Sequence, residues 1–160
     1  MDGNKKFKEG EEKMKDKITL KGHGYFELRR KDGTVVDKWE CSNTIVSTGK
    51  ERTAKLLNGI SVVPFDTIAI GTGDTIPLIG NTALEVEVAR AVASLAYEAS
   101  NKATFEHTFV FYSAEAYAIT EAGVFTSESG GGTMLDRFTF TAKNVEAGTD
   151  LYCKITITVA

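Results

Sequence analysis

Apolar and polar residues alternate along much of the C-terminal half of this chain. Leu151, Cys153 and Ile155 lie at every second position of the last stretch, with polar residues between them. Phe105 and Phe109 belong to a similar alternation over residues 103–112. Because successive side chains of a strand point to opposite faces, both patterns predict strands with one face in a core.

The N-terminal half predicts a hairpin and a short extended piece. β-forming residues over 18–28 and 34–39 flank Asp32-Gly33, and a glycine at this position suits a tight turn. A short extended segment follows at 43–46. The pattern predicts that this region joins the same sheet system as the later strands.

One helix is predicted over residues 48–58. Thr48 and Glu51 have the spacing of a capping box, in which each side chain binds a backbone amide near the helix start. Leu56 and Leu57 contribute an apolar face, and Gly59 is typical of the residue that follows a helix.

The remaining segments predict more strands. They are 67–70, a single strand within 86–97, bulged or regular, that starts near Val88, 116–126, and the segment of Met134, Phe138 and Phe140 after the Gly130–Gly132 turn. Eight or nine strands with one helix indicate an all-β, antiparallel β-sandwich or jelly-roll-like fold. Residues 18–160 are predicted to form a single β-sandwich domain. Residues 1–17 are predicted to be a charged arm, flexible or ordered by a partner.

Composition narrows the classes of partner. The net charge is −3, and no cluster of basic residues follows residue 17, which argues against a nucleic-acid-binding domain. Neither a signal peptide nor a membrane helix is predicted, so we expect synthesis in a cytoplasm. Cys41 and Cys153 are 112 positions apart and are predicted to be free, buried thiols, with a disulfide between them left open.

Several residues invite a catalytic or ligand-binding interpretation, and each has a simpler one. His23 lies between two glycines without a second metal ligand at useful spacing, and His107 lies on an aromatic strand face. Gly71-Thr72-Gly73-Asp74 does not match a phosphate-binding loop and is interpreted as a turn. Oxygen ligands for calcium could come from Asp66, Asp74, Asn81 and Glu85, although their spacing matches no known loop pattern.

The acidic and aromatic residues of the strands are interpreted as sheet surface. Glu98, Glu106 and Glu115 could supply a carboxylate pair for glycoside cleavage, but strand-face acids explain them better. Asp136-Arg137 predicts a cross-strand ion pair or a contact between subunits. A sugar platform could use aromatic residues, namely Trp39, Tyr97, Tyr112, Tyr117 and Tyr152. We therefore predict no catalytic, cofactor-binding or metal-binding residues.

An ordered series of segments resembles a family of small bacteriophage virion structural proteins, of the tail-fibre, baseplate and head-decoration type. These segments cover about residues 43–160 and are Asn43–Val46, the helix, Ile68–Gly73, Thr82–Glu85 with Ala89-Arg90, Ile119–Phe125 and Gly131–Arg137. The resemblance implies a noncatalytic virion building block that forms symmetric homo-oligomers. Threefold symmetry would suit a fibre or a capsid decoration.

The leading hypothesis is a virion structural subunit that acts through contacts with copies of itself and with other virion proteins. The exposed edges of a β-sandwich and the N-terminal arm are where such contacts are expected. The alternative is a carbohydrate-binding β-sandwich, as in the receptor-binding part of a fibre. That alternative predicts glycan binding that is lost when Tyr112 or Tyr152 is changed.

Overall fold

In the part of the chain that the structure describes, ten strands form two antiparallel sheets that pack face to face. The structure is a computed structural model that describes residues 17–61, 63–112, 114–128 and 131–160. Nearly all of the predicted N-terminal arm, together with Gly130 of the predicted turn, lies outside these residues. No helix in the described part of the chain is long and apolar enough to cross a membrane.

Sheet A has the strand order β2-β1-β10-β7-β6. Its strands are β1 (Leu20–Arg30), β2 (Val35–Ser42), β6 (Ser94–Ala99), β7 (Lys102–Val110) and β10 (Thr149–Val159). β1 and β10 pair along their full length, from Leu20 opposite Val159 to Arg30 opposite Thr149. β10 also pairs with β7, so the two strands whose apolar and polar residues alternate most clearly in the sequence are neighbours inside this sheet.

Sheet B has the strand order β3-β9-β8-β4-β5. Its strands are β3 (Thr44–Ile45), β4 (Phe65–Gly71), β5 (Glu87–Val92), β8 (Ala116–Thr126) and β9 (Met134–Glu146). The one helix among the described residues, α1 (Ser47–Leu57), packs against β9. The fold is thus the predicted all-β sandwich with one short helix.

The main core lies between the sheets. Phe26, Leu151 and Ile155 of sheet A and Ile68 and Phe138 of sheet B are completely buried there. A smaller apolar cluster lies on the opposite, outward face of sheet B and consists of Val46, Ala69, Leu84, Phe125 and Met134. Sheet B is therefore buried on both faces, and a third layer of structure covers its outward face.

The predicted capping box is wrong, although the helix is within one residue of its predicted position. Val46 is the residue before the helix, and no side chain caps the first turn. The Thr48 hydroxyl donates instead to the carbonyl oxygen of Met134, at 3.2 Å. The Ser47 amide donates to the carbonyl oxygen of Ile79, at 2.7 Å. A tertiary contact thus satisfies an amide of the first turn, and Gly59 follows the helix with a positive φ of 75°, as predicted.

The single strand predicted within 86–97 is also wrong. The segment forms β5 in sheet B and β6 in sheet A, with Ala93 between them. Ala93 is buried, and its amide donates to the carbonyl oxygen of Asp66 at 2.7 Å. This crossing raises the strand count to ten, above the eight or nine predicted.

Candidate functional site

The third layer over sheet B includes a long loop, residues 72–86, between β4 and β5. We call it the braced loop because a buried carboxylate holds both of its ends. Its buried anchor is Leu84, which belongs to the outward cluster. The rest of the loop follows the surface, and Thr72 and Val86 close it through a backbone hydrogen bond of 2.9 Å.

Glu121 of β8 is the residue that holds the loop. Its side chain is fully buried. One carboxylate oxygen accepts hydrogen bonds from the amides of Gly73, at 3.0 Å, and Val86, at 2.8 Å. The other accepts from the amide of Glu85, at 3.0 Å. One side chain of sheet B therefore binds three backbone amides from the two ends of the loop.

Arg137 of β9 supplies the positive charge beside Glu121. Its Nε donates to Glu121 at 2.9 Å, and its side chain is only 1% exposed. The same guanidinium approaches Glu85 at 3.5 Å and Asn81 at 3.3 Å, both of which belong to the braced loop. The buried carboxylate of Glu121 and the buried guanidinium of Arg137 thus have each other and these additional partners. Neither charged group is left without a polar partner by its burial.

Two glycines leave room for this arrangement. A Cβ at Gly71 or Gly73 would come within 2.6 Å of Oε1 of Glu121. Gly71 is the last residue of β4, no turn is formed over residues 72–74, and neither glycine has a positive φ, so the interpretation of this motif as a tight turn is wrong. The missing side chains instead let the backbone approach the carboxylate.

A second buried acid lies next to Arg137 in the sequence. Asp136 accepts hydrogen bonds from the amide of Val124, at 2.8 Å, and from the side chain of Asn43, at 2.5 Å. The Asn43 side chain in turn accepts from the amide of Gly22 at 2.9 Å, which links sheet A to this site. Burial raises the pKa of Asp136 to about 7.

The residues proposed as oxygen ligands for calcium are only partly brought together. Asn81 and Glu85 surround the Arg137 guanidinium, which occupies the place that a cation would take. The amide and hydroxyl of Thr75 lower the pKa of Glu85 by donating hydrogen bonds to it. Asp66 instead accepts from Ser127 at the other end of β4. Within the described residues, no group of three or more potential metal ligands occurs.

The other candidate residues lie on separate surfaces. His23 pairs with Glu40 at 3.2 Å, and His107 is half-buried against Phe109 with a pKa lowered by burial. Glu98 and Glu106 both contact Lys154 on the outward face of sheet A, as strand-face acids should. Glu115 precedes β8 and accepts from the amide of Tyr112.

The five aromatic residues do not form one platform. Trp39 stacks on Phe26 at 5.4 Å between ring centroids, and Tyr152 lies under Arg29 at 4.2 Å. Tyr117 contacts Phe111, which lines the core. Tyr97 and Tyr112 are exposed near opposite ends of β7. The two cysteines are free thiols, and burial raises the pKa of Cys41 to about 12 and also raises that of Cys153.

The feature that the sequence did not predict is the outward side of the braced loop. Ile76, Leu78 and Ile79 are 80%, 63% and 64% exposed. The Asn81 side chain accepts from the amide of Leu78, at 2.8 Å, and so holds the turn that displays them. The signal in the sequence is the apolar run Ile76–Ile79 between Thr75 and Gly80, which fits neither helix nor strand periodicity.

Comparisons of the chain with protein-family models, curated proteins and solved structures found no match.

Proposed function

We propose that this chain is a noncatalytic structural subunit of a bacteriophage particle. It acts through protein–protein contacts with other copies of itself and with other virion proteins, as a tail, fibre, baseplate or capsid-decoration component. It is made in the host cytoplasm and functions in the virion. The resemblance over residues 43–160 motivates the class of protein, and the braced loop supports the mode of action.

The observation that carries the proposal is the display of apolar side chains on a fixed loop. Burying Ile76, Leu78 or Ile79 against a partner would stabilise the complex by about 1.5–3 kcal/mol for each side chain. Hydrogen bonds to Glu121, Arg137 and Asn81 already order the backbone that carries them. A partner then has little loop entropy to remove on binding, which favours association.

The same network links the segments that carry the resemblance. Asn43 contacts Asp136, Gly73 contacts Glu121, and Glu121 contacts Arg137. The segments of Gly73, Glu121 and Arg137 therefore meet beneath the braced loop, and the segment of Asn43 joins them through Asp136, the neighbour of Arg137. Their recurrence in this order is reasonable if the family needs this loop in one conformation.

Quantitative mass spectrometry of purified particles from the strain that encodes the chain tests the proposal. We expect the chain in particles at a fixed ratio to the major capsid protein. Light scattering on the purified chain should give the mass of an oligomer, with a trimer as one outcome. A monomer that is absent from particles would contradict the proposal.

The role of the braced loop is tested separately by Leu78→Asp. This variant should fold normally, because the side chain is exposed, but should be reduced at least tenfold in assembled particles. Ile60→Asp is the matched control, since Ile60 is 74% exposed outside the loop. Equal incorporation of both variants would count against the loop as the docking element.

A further inference from the structure

We infer that β6 pairs with β6 of a second copy of this chain, antiparallel and across a twofold axis at Ala96. The inference deepens the proposed function, which requires contacts between copies, by naming the surface that makes one of them. It predicts a dimeric contact, and a cyclic trimer could not form through it because a twofold contact uses the same patch on both partners.

Considering the described residues, β6 is the sheet edge with the least protection. Of the other edges, β3 has two residues, β2 carries Asp37, Lys38 and Glu40, and β5 carries the Glu87–Arg90 ion pair. Charged and very short edges resist pairing with another strand. β6 has one charged residue, Glu98, and that side chain is engaged by Lys154 at 2.5 Å.

The side chains of β6 also indicate a missing neighbour. Leu95 lies opposite Phe105, and Tyr97 lies opposite Ala103, so Leu95 and Tyr97 point to the core side of sheet A. Phe105 is only 6% exposed, whereas Leu95 and Tyr97 are 55% and 73% exposed. The inward face of this sheet therefore extends past the part that sheet B covers, and its last strand presents apolar side chains to solvent.

The sequence of β6 is complementary to itself in one register. With Ala96 opposite Ala96, Leu95 of each copy faces Tyr97 of the other, and both pairs lie on the inward face. Ser94 then comes opposite Glu98 of the second copy, where β6 has a register irregularity after Tyr97, so no like charges are opposed. Cross-strand pairs of an aromatic and an aliphatic side chain are typical stabilising contacts between antiparallel strands.

The first test introduces a cysteine at the axis. Directly opposed residues of antiparallel strands have Cα atoms about 4.5–5.5 Å apart, within the range of a disulfide. Ala96→Cys should therefore give an intermolecular disulfide in most of the protein under mild oxidation. Ser94→Cys lies on the same face of the same strand, but the two copies of residue 94 would be roughly 13 Å apart at this register.

The wild-type chain, with Cys41 and Cys153, gives the background in the same experiment. Crosslinking of Ala96→Cys no greater than that of Ser94→Cys or the wild type would overturn the inference, since that result indicates random collision.

The second test places a charge on the inward side of the edge. Leu95→Lys should weaken self-association at least tenfold and halve the mass measured by light scattering, with an unchanged circular dichroism spectrum. Val36→Lys is the control, because Val36 is 48% exposed on the charged edge strand β2. A wild-type monomer at high concentration, or an oligomer whose mass Leu95→Lys leaves unchanged, would refute β6 pairing.

These outcomes are separable from those for the proposed function. If the chain is found in particles but Ala96→Cys forms no intermolecular disulfide, only the pairing of β6 is refuted. A chain that forms the disulfide but is absent from particles would refute only the virion role.

Discussion

The outward face of sheet A is open to solvent, whereas the outward face of sheet B lies beneath α1 and the braced loop. Both faces carry ion pairs. On sheet A, Lys154 contacts Glu98 at 2.5 Å, with the two side chains 30% and 41% exposed. On sheet B, Arg137 contacts Glu121 at 2.9 Å, with the two side chains 1% and 0% exposed.

The two pairs differ in whether water can reach a charged side chain after its partner is removed. If one member of the exposed pair is lost, water solvates the other, and such pairs contribute about 0–1 kcal/mol. If Arg137 is lost, Glu121 has no positive partner in a space that sheet B and the braced loop close to water. The ion pair on the outward face of sheet A therefore contributes little to stability, whereas the ion pair on the outward face of sheet B determines the conformation of the braced loop.

The largest expected effect comes from Arg137→Met. Removing one partner of a buried pair typically lowers the free energy of unfolding by about 3–5 kcal/mol. Urea unfolding followed by the fluorescence of Trp39, the single tryptophan, measures the change. We also expect faster hydrogen exchange at the Gly73 and Val86 amides. A loss below about 1 kcal/mol would remove the distinction between the two faces.

Asp136 gives a pH-dependent version of the comparison. Burial raises its pKa from 3.8 to about 7, so the folded chain keeps this proton at pH values where the unfolded chain has lost it. The stability contributed by the protonated form is complete below about pH 4 and is lost as the pH rises towards 7. The slope can reach about 1.4 kcal/mol per pH unit.

Asp136→Asn cannot ionise and isolates this contribution. The free energy of unfolding of the variant minus that of the wild type should increase between about pH 4 and pH 7. Urea unfolding of both chains at several pH values in this window measures the difference. A difference that is independent of pH would show that Asp136 does not titrate there.

Much of sheet A could be predicted from the sequence, because one of its faces is wet. The alternation in β7 and β10 records that difference directly. The boundary at Ala93 could not be predicted, since a bulged strand and two strands in different sheets have the same local pattern. The contact with Asp66, 27 positions earlier in the sequence, decides between them.

The site on sheet B was hidden for a related reason. A charged residue in a strand normally indicates an exposed face, and Glu121 follows that pattern locally. Its burial depends on a loop that lies 35–49 positions earlier in the chain. Asp136-Arg137 was predicted to form a cross-strand ion pair or a contact between subunits. Arg137 forms a cross-strand ion pair with Glu121, whereas Asp136 is bound by Asn43 and the Val124 amide.

A smaller effect is expected within the braced loop itself. A Cβ at Gly73 would lie 2.3 Å from Cβ of Glu85 and 2.6 Å from Oε1 of Glu121, so Gly73→Ala should cost about 1–3 kcal/mol. Gly80→Ala is the control in the same loop, because its Cβ would meet nothing within 4 Å. Thermal unfolding measures the melting temperatures of the two variants, and that of Gly73→Ala should be the lower. Equal melting temperatures would contradict the close approach at Gly73.

The smallest effect is expected for Lys154→Met on the open face of sheet A. Its neighbours Glu98 and Glu106 are 41% and 34% exposed, so water can solvate both carboxylates when the ammonium group is removed. The free energy of unfolding should fall by less than about 1 kcal/mol in the urea experiment used for Arg137→Met. Because both variants exchange a cation for the same thioether, their difference measures how burial changes the role of an ion pair. A loss of several kcal/mol for Lys154→Met would indicate that another subunit covers this face of sheet A in solution.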